Sequence, residues 1–406
     1  MPKSTIFKNN AWILPEGMGE LLPAEALKLE QLRRNVLDHF SSWGYDLVMP
    51  PFAEYLESLL SGTGNDLDLQ TFKIVDQNNG RMMGIRSDMT PQVCRIDSHQ
   101  LNKEEPTRLC YMGTVLHTKS DGFAGSRSPL QFGVELFGHG GAGADAEVMA
   151  MMCSTLTMAG VNNFYLDLGH VGIYRGLAQQ AGLTEDQEYY LFDAMQRKAI
   201  PEIEQLLQEF AVKSPEKEML SGLAMLNGGD EVLIEAVSVL EKANNDVKSA
   251  LDNLGAIYMS LKELVPNVDI HFDLAELRGY HYQTGVVFAA FVPGKGQEIA
   301  RGGRYDEIGE VFGKSRPATG FSSDLKAVLQ LSESETEQKQ GAIYAPYLTY
   351  ASSAERSELF KFVTDLRSAG ETVIYELEQQ QGDAAAMGCD RVIVKQDDNW
   401  VVEAIS

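Results

Sequence analysis

Basic residues are scarce in this sequence: 34 Lys and Arg stand against 58 Asp and Glu, for a formal net charge of -24. A protein that tracks a phosphate backbone does so with surplus cationic side chains, whose binding releases condensed counterions. The balance therefore argues against nucleic acid as a partner. The four cysteines, Cys94, Cys110, Cys153 and Cys389, are far apart, with no C-x-x-C pair and no Cys/His spacing of a zinc site. Buried, reduced thiols and no metal are expected. No uncharged apolar run approaches the roughly 20 residues of a membrane span. The stretch from Met1 to Leu14 also lacks the apolar segment and small-residue cleavage site of a secretion signal. A cytoplasmic chain with no membrane association is expected. What is present is apolar material, 44% of 406 residues, enough for a large core and more than one domain.

Local patterning divides the chain. From Pro23 to Phe40, apolar residues recur at helical spacing and Gly44 closes the pattern. A short strand, Tyr45 to Met49, runs into Pro50-Pro51, which cannot continue a central ladder and so suggests an edge or an interface. Strands are predicted at Thr71–Val75, Arg81–Arg86, Thr107–Leu116 and Leu130–Phe137, with a turn at Gln77-Asn78-Asn79-Gly80 and a helix over Ala144–Met158. About Leu183 to Leu264 the periodicity turns helical, as in a mostly helical insertion. Strands return at Val268–Leu274, Gly285–Val292 and Glu298–Arg301, followed by a helix near Ser323–Leu329. Residues 331–340 are charged and read as a linker between a core over 1–330 and a small α/β domain over 341–406. Strands, then helices, then strands imply an α+β domain on a mostly antiparallel sheet. The glycine-rich run Gly138 to Gly143 lacks the G-K-[ST] of a phosphate loop and reads as a flexible connection.

Four segments are more specific. Ile85-Arg86-Ser87-Asp88-Met89-Thr90, Gln131-Phe132-Gly133-Val134-Glu135, Leu277-Arg278-Gly279-Tyr280-His281-Tyr282 and Gly302-Gly303-Arg304-Tyr305-Asp306 occur in the order and context of the histidyl-tRNA synthetase catalytic domain. From about Gly17 to Leu329 the chain resembles that family, and Gly44-Tyr45 through Pro51 with Glu54 looks like the first class II signature, the dimer-interface motif. The resemblance implies a class II synthetase-like antiparallel sheet flanked by helices. It also implies histidine binding by Asp88, Gln131, Glu135, Arg278, Tyr282 and Tyr305, with Asp88 standing where the family has Glu. The residue types suit that ligand. Asp88, Gln131 and Glu135 can accept from an ammonium, Tyr282 and Tyr305 can form a flat slot with a polar tip, and Arg278 can meet a carboxylate. Taken singly, Gln131 and Glu135 at i and i+4 would mark a solvated strand face, Arg304 and Asp306 a structural ion pair, and Tyr305 a core tyrosine.

The departures from the family are equally specific. Class II synthetases hold ATP with an arginine in a Phe-Arg-x-Glu segment, which here reads Leu116-His117-Thr118-Lys119. The second nucleotide arginine is replaced by Ala327, and Asp324 replaces a nearby glycine. A bidentate guanidinium neutralises charge building at the α-phosphate during adenylation, so both losses cripple that chemistry. From Leu331 onward few basic residues remain to grip tRNA. Ligand residues kept beside lost catalytic ones resemble the regulatory subunits of ATP phosphoribosyltransferase. This second resemblance implies a non-catalytic subunit without cofactor, acting in histidine biosynthesis. Its expected partner is a short-form ATP phosphoribosyltransferase catalytic subunit, which it activates and through which histidine exerts feedback inhibition. A homodimeric core within a hetero-oligomer, with no tRNA bound, completes the expectation. Two other readings are an active histidyl-tRNA synthetase or amino-acid ligase, and a histidine sensor for another partner.

Overall fold

The computed structural model describes residues 13–61, 65–120, 125–277, 279–280, 282–333, 341–349 and 351–405. Arg278 and most of the charged linker thus lie outside the described residues. The chain forms two compact units, Met1–Ser334 and Glu335–Ser406. No helix among the described residues is long and apolar enough to cross a membrane.

In the first unit the strands in chain order are β1 (Asp46–Leu47), β2 (Ala53–Tyr55), β3 (Phe72–Val75), β4 (Met82–Ile85), β5 (Thr107–Thr114) and β6 (Leu130–Phe137). They continue with β7 (Tyr165–His170), β8 (Asn227–Gly228), β9 (Asp269–Asp273), β10 (Val286–Phe291), β11 (Glu298–Arg304) and β12 (Ala318–Asp324). Nine of these make one sheet in the order β1-β5-β6-β12-β11-β10-β7-β9-β8, in which only the β1–β5 and β7–β9 pairings are parallel. The remaining three form a small sheet, β2-β4-β3. The mostly antiparallel α+β architecture expected from the sequence is what the fold shows.

Alternation along β6 sorts its side chains between two faces. Phe132, Val134 and Leu136 enter the large core, where Phe132 and Phe321 close on Phe40 of the helix Pro23–Ser42, with ring centroids 6.1–6.4 Å apart. Burying Phe40 completely contributes roughly 1.5–3 kcal/mol. Gln131 and Glu135 fall on the opposite face, where β5 contributes Leu109 and Tyr111 to a second, smaller core with Phe137 and Tyr305. The candidate site is built on that second face.

The helix Pro23–Ser42 buries Leu29, Leu32, Val36 and Phe40, whereas Leu27, an apolar residue on the same helix, is exposed. Residues 185–264 hold five helices, three of which begin with a Thr184 capping box, a Pro at the first turn (Pro201) and an Asn244 cap. Between them β8 returns to the sheet edge against β9. Several elements carried no clear sequence signal, the helix Val171–Gln180 among them. A helix over Thr90–Arg95 continues as a π-helical segment, Ile96–Leu101, and β7 and β12 complete the sheet. The expected helix near Ser323 begins at Leu325, because Ser323 and Asp324 end β12. Small residues such as Gly320 and Ser322 have little strand propensity, and the close approach of neighbouring strands fixes them there.

The second unit has β13 (Ala342–Ala345), β14 (Val373–Tyr375), β15 (Cys389–Gln396) and β16 (Asn399–Ala404) in the order β14-β13-β15-β16. A helix over Ser353–Ser368, capped by Ser352, packs Leu359 and Val363 on Ile343, Val373 and Ile393. All four cysteines are free and buried, as expected.

Candidate functional site

The segment between β4 and the helix Thr90–Arg95 crosses the ends of β5 and β6. Arg86 anchors it by donating from Nε to the Thr114 carbonyl at 3.0 Å and from Nη1 to the Pro50 carbonyl at 2.9 Å. Asp88 is thereby set opposite β6. Gln131 Nε2 donates to Asp88 Oδ1 at 2.8 Å, Gln131 Oε1 accepts from the Met89 N–H at 2.9 Å, and the Thr90 N–H donates to Asp88 Oδ1 at 3.0 Å. The Gln131 amide thus clasps the turn that presents Asp88.

One pleat deeper, Glu135 is 1% exposed. Its carboxylate accepts from Tyr111 Oη at 2.9 Å and, in a short bond, from Tyr305 Oη. Tyr111 also lies 3.1 Å from Thr90 Oγ1, which joins the two parts of the site. Tyr282 stacks on Tyr305 with centroids 5.3 Å apart and ring planes 12° from parallel. Two glycines make the room. A Cβ on Gly320, paired with Glu135 across β12, would fall 1.6 Å from the carboxylate, and one on Gly133 would fall 2.6 Å from Tyr111 Oη. Neither position tolerates a side chain without displacing Glu135 or Tyr111.

Tyr305 is held from both sides. Arg304 reaches the fully buried Asp145 in the first turn of the helix Ala142–Met158 at 3.0 Å, and donates to Asp306 at 3.0 Å. Asp306 Oδ1 in turn accepts the Ala318 N–H at 3.0 Å. Arg304 and Asp306 form the structural ion pair that they suggest when taken singly, and it brackets Tyr305. The glycine-rich connection is also pinned: Arg304 Nη2 donates to the His139 carbonyl at 3.3 Å, and the Arg316 guanidinium leaves no room for a Cβ on Gly138.

Electrostatics follow from the donors. Burial pushes the Glu135 carboxyl up to about 8, the phenol donors of Tyr305 and Tyr111 oppose the rise, and Asp88 adds to it. Burial first, then Glu135, holds the Tyr111 and Tyr305 phenols and the Cys94 thiol well above their ordinary values, so none is a poised nucleophile. No cationic side chain among the described residues bonds to Asp88 or Glu135. Of the six residues singled out in the sequence, the structure brings five together: Asp88, Gln131, Glu135, Tyr282 and Tyr305. Thr90, Tyr111 and Cys94 were not singled out. Strand parity was the available signal for Tyr111, which pairs with Gly133 between Gln131 and Glu135.

The positions where the resemblance implies a lost nucleotide clamp make intramolecular contacts. His117 Nε2 lies 2.9 Å from the Ser87 carbonyl. Asp324 Oδ1 accepts the Leu130 and Lys326 N–H groups, both at 3.0 Å, and Lys326 Nζ donates to the Ser128 carbonyl at 2.6 Å.

Comparison with known proteins agrees with this division. The histidyl-tRNA synthetase family model matches residues 17–328, and that of the ATP phosphoribosyltransferase subunit HisZ C-terminal domain matches residues 340–403. The ATP phosphoribosyltransferase regulatory subunit of Thioalkalivibrio sulfidiphilus is 56% identical over 395 residues, spanning 97% of this chain and 98% of that protein. The chain belongs to the ATP phosphoribosyltransferase regulatory subunit family. The family member from Alkalilimnicola ehrlichii is 52% identical over 408 residues, covering 100% of both chains. A solved ATP phosphoribosyltransferase regulatory subunit/histidyl-tRNA synthetase from Bacillus halodurans aligns with a TM-score of 0.80 at 27% identity, over 93% of this chain and 95% of that one. The histidyl-tRNA synthetase of Nostoc, at 18% identity and a TM-score of 0.76 over 97% of each chain, shares the fold. Membership of a regulatory family accords with a synthetase-like frame in which His117 and Ala327 stand where the resemblance implies nucleotide arginines.

Proposed function

We propose that this chain is the non-catalytic regulatory subunit of an ATP phosphoribosyltransferase in histidine biosynthesis, which activates a short-form catalytic subunit and carries the histidine that inhibits it. The observation that carries the reading is the contrast between two sites. Asp88, Glu135, Tyr282 and Tyr305 lie in one connected group of hydrogen-bonded and stacked side chains, while His117, Asp324 and Lys326 have protein partners where the resemblance implies a nucleotide clamp. Within the pocket, Asp88 takes the α-ammonium of histidine. Glu135 and the stacked tyrosines take the imidazole, since Glu135 is the polar tip of the flat slot, and Arg278 takes the carboxylate. The sequence reading had grouped Glu135 with the ammonium acceptors; its depth beside Tyr305 favours the ring instead.

Binding energy here can act on a partner only by favouring one conformation of the complex, and coupling of about 1–3 kcal/mol changes affinity roughly 5–150-fold. A homodimeric core is proposed as well, because Leu47 in edge strand β1 and Met49 and Phe52 just after it are 43%, 74% and 44% exposed. The test is reconstitution of purified chain with a short-form catalytic subunit. The chain should raise phosphoribosyl transfer, and histidine should lower it only when the chain is present. Histidine-dependent pyrophosphate–ATP exchange by the chain alone, or inhibition that survives Glu135→Ala, would overturn the reading.

A further inference from the structure

Strand pairing places one cation on the face of the large sheet that carries Gln131 and Glu135. Residues directly opposed in neighbouring strands share a face, as do residues two apart along one strand. Gly133, midway between Gln131 and Glu135, opposes Ser322 of β12, which opposes Arg301 of β11, which in turn opposes Ala289 of β10. Arg301 therefore projects from the same face as Gln131 and Glu135. It is the only Lys or Arg that β6, β12, β11 and β10 present there.

Its place in the sheet is a third corner. Strands lie about 4.8 Å apart and two residues rise about 6.7 Å, so the Arg301 Cα is about 12 Å from those of both Gln131 and Glu135, two strands away on the row between them. Towards Glu135 the interval holds only small residues of these strands, Ser322, Gly133 and Gly320. Asp88, Gln131, Tyr282 and Ser322 are each partly exposed and the Arg301 side chain is 63% exposed, so these groups are reachable from solvent. Arg301 Nη1 donates to Glu298 at 3.2 Å, a surface pair of the kind that contributes little and yields to a competing anion. Burial and the acidic neighbours push the Tyr282 phenol up, and the Arg301 charge opposes them.

A free amino acid presents an ammonium, a side chain and a carboxylate. Asp88 and Gln131 suit the first, and Glu135 with the stacked tyrosines suits a polar-tipped ring. The third corner calls for a cation with a long reach and a planar fork of donors. We propose that Arg301 is a further binding residue of this site and meets the carboxylate of the ligand, so that the subunit selects the free amino acid over analogues lacking the acid. The proposal rests on the histidine-binding reading above and adds Arg301 to the role given there to Arg278.

The experiment is calorimetric titration of the full chain with histidine and with histidinol, which keeps the ammonium and the ring but carries an alcohol in place of the carboxylate. Wild type should bind histidine the more tightly. In Arg301→Gln, histidine affinity should fall about tenfold or more, the scale of a lost charge-assisted hydrogen bond, while histidinol affinity stays within about twofold. Arg301→Lys keeps the charge without the fork and should fall between the two proteins. Equal binding of both ligands by wild type, histidine affinity unchanged in Arg301→Gln, or equal losses for the two ligands would overturn the proposal. Any of these would leave Arg301 as a surface ion pair and the histidine site standing. A wild-type chain that binds neither ligand overturns the histidine reading and the proposal together.

Discussion

Gln131 and Asp88 are joined across the ends of two separate segments: Gln131 Nε2 donates to Asp88 Oδ1 at 2.8 Å while its carbonyl oxygen accepts the neighbouring Met89 N–H at 2.9 Å. Sequence reasoning made both residues histidine ligands. The geometry gives Gln131 a second task, since its amide fixes the turn on which the Asp88 carboxylate is carried.

Asp88→Ala and Gln131→Leu should each weaken histidine binding, the first by roughly 1.5–3 kcal/mol for a hydrogen bond to a charged group. Because the two share one bond, their effects should not add. A double-mutant cycle by calorimetry checks this, and strict additivity would contradict the clasp.

Glu135 should make the unliganded chain less stable at alkaline pH. Its folded value, about 8, lies above the ordinary 4.5, so its contribution is fully present below about 4.5 and is lost as pH rises towards 8. Glu135→Gln removes the titration and should be the more stable protein at pH ~8, by on the order of a few kcal/mol, with the gap closing towards pH ~5. Denaturant melts of both proteins at the two pH values decide it.

His170 carries the opposite dependence. It caps the helix Val171–Gln180 by accepting the Gly172 N–H at 3.1 Å, which requires a neutral ring nitrogen. Burial first, then Arg304, lowers its value to about 4. The unfolded chain takes up a proton that the folded one refuses, so stability should fall as pH drops from about 6.5 to about 4, by about 2–3 kcal/mol. In His170→Asn, which keeps a capping acceptor, that part of the acid loss should disappear from the pH profile of denaturation.

Tyr280 links the loop that carries Tyr282 to the helical insertion. Its hydroxyl donates to Glu188 in a short bond, its ring packs on Phe192 and Tyr174 at 5.0 and 5.5 Å, and Arg175 holds the Tyr280 and Gln283 carbonyls at 2.9 and 3.2 Å. Tyr280→Phe keeps the ring and removes the bond. Histidine affinity should fall several-fold, on the order of one hydrogen bond of about 0.5–1.5 kcal/mol, with the far-ultraviolet circular dichroism unchanged. Equal affinity in the variant would show that the loop does not depend on this anchor.

The sequence by itself determined the elements whose periodicity is set by burial on one side. Leu130–Phe137 was read to the residue and the helix near Pro23–Ser42 to within two, because alternation and helical spacing are local consequences of a core-facing side. It also determined what the chain cannot do, since an arginine replaced by Ala327 is missing in any conformation. Tertiary structure alone decided that β12, with its small polar residues, lies in the middle of the sheet, where Gly320 admits the Glu135 carboxylate. It likewise decided that Tyr111 bonds to Glu135, that Gln131 spends its amide on Met89 and Asp88, and that burial raises the Glu135 carboxyl. The physical reason is common to all of these. Spacing along a chain records which face a residue takes, whereas hydrogen-bond partners and proton affinity depend on groups brought from distant segments, and on how completely they exclude water.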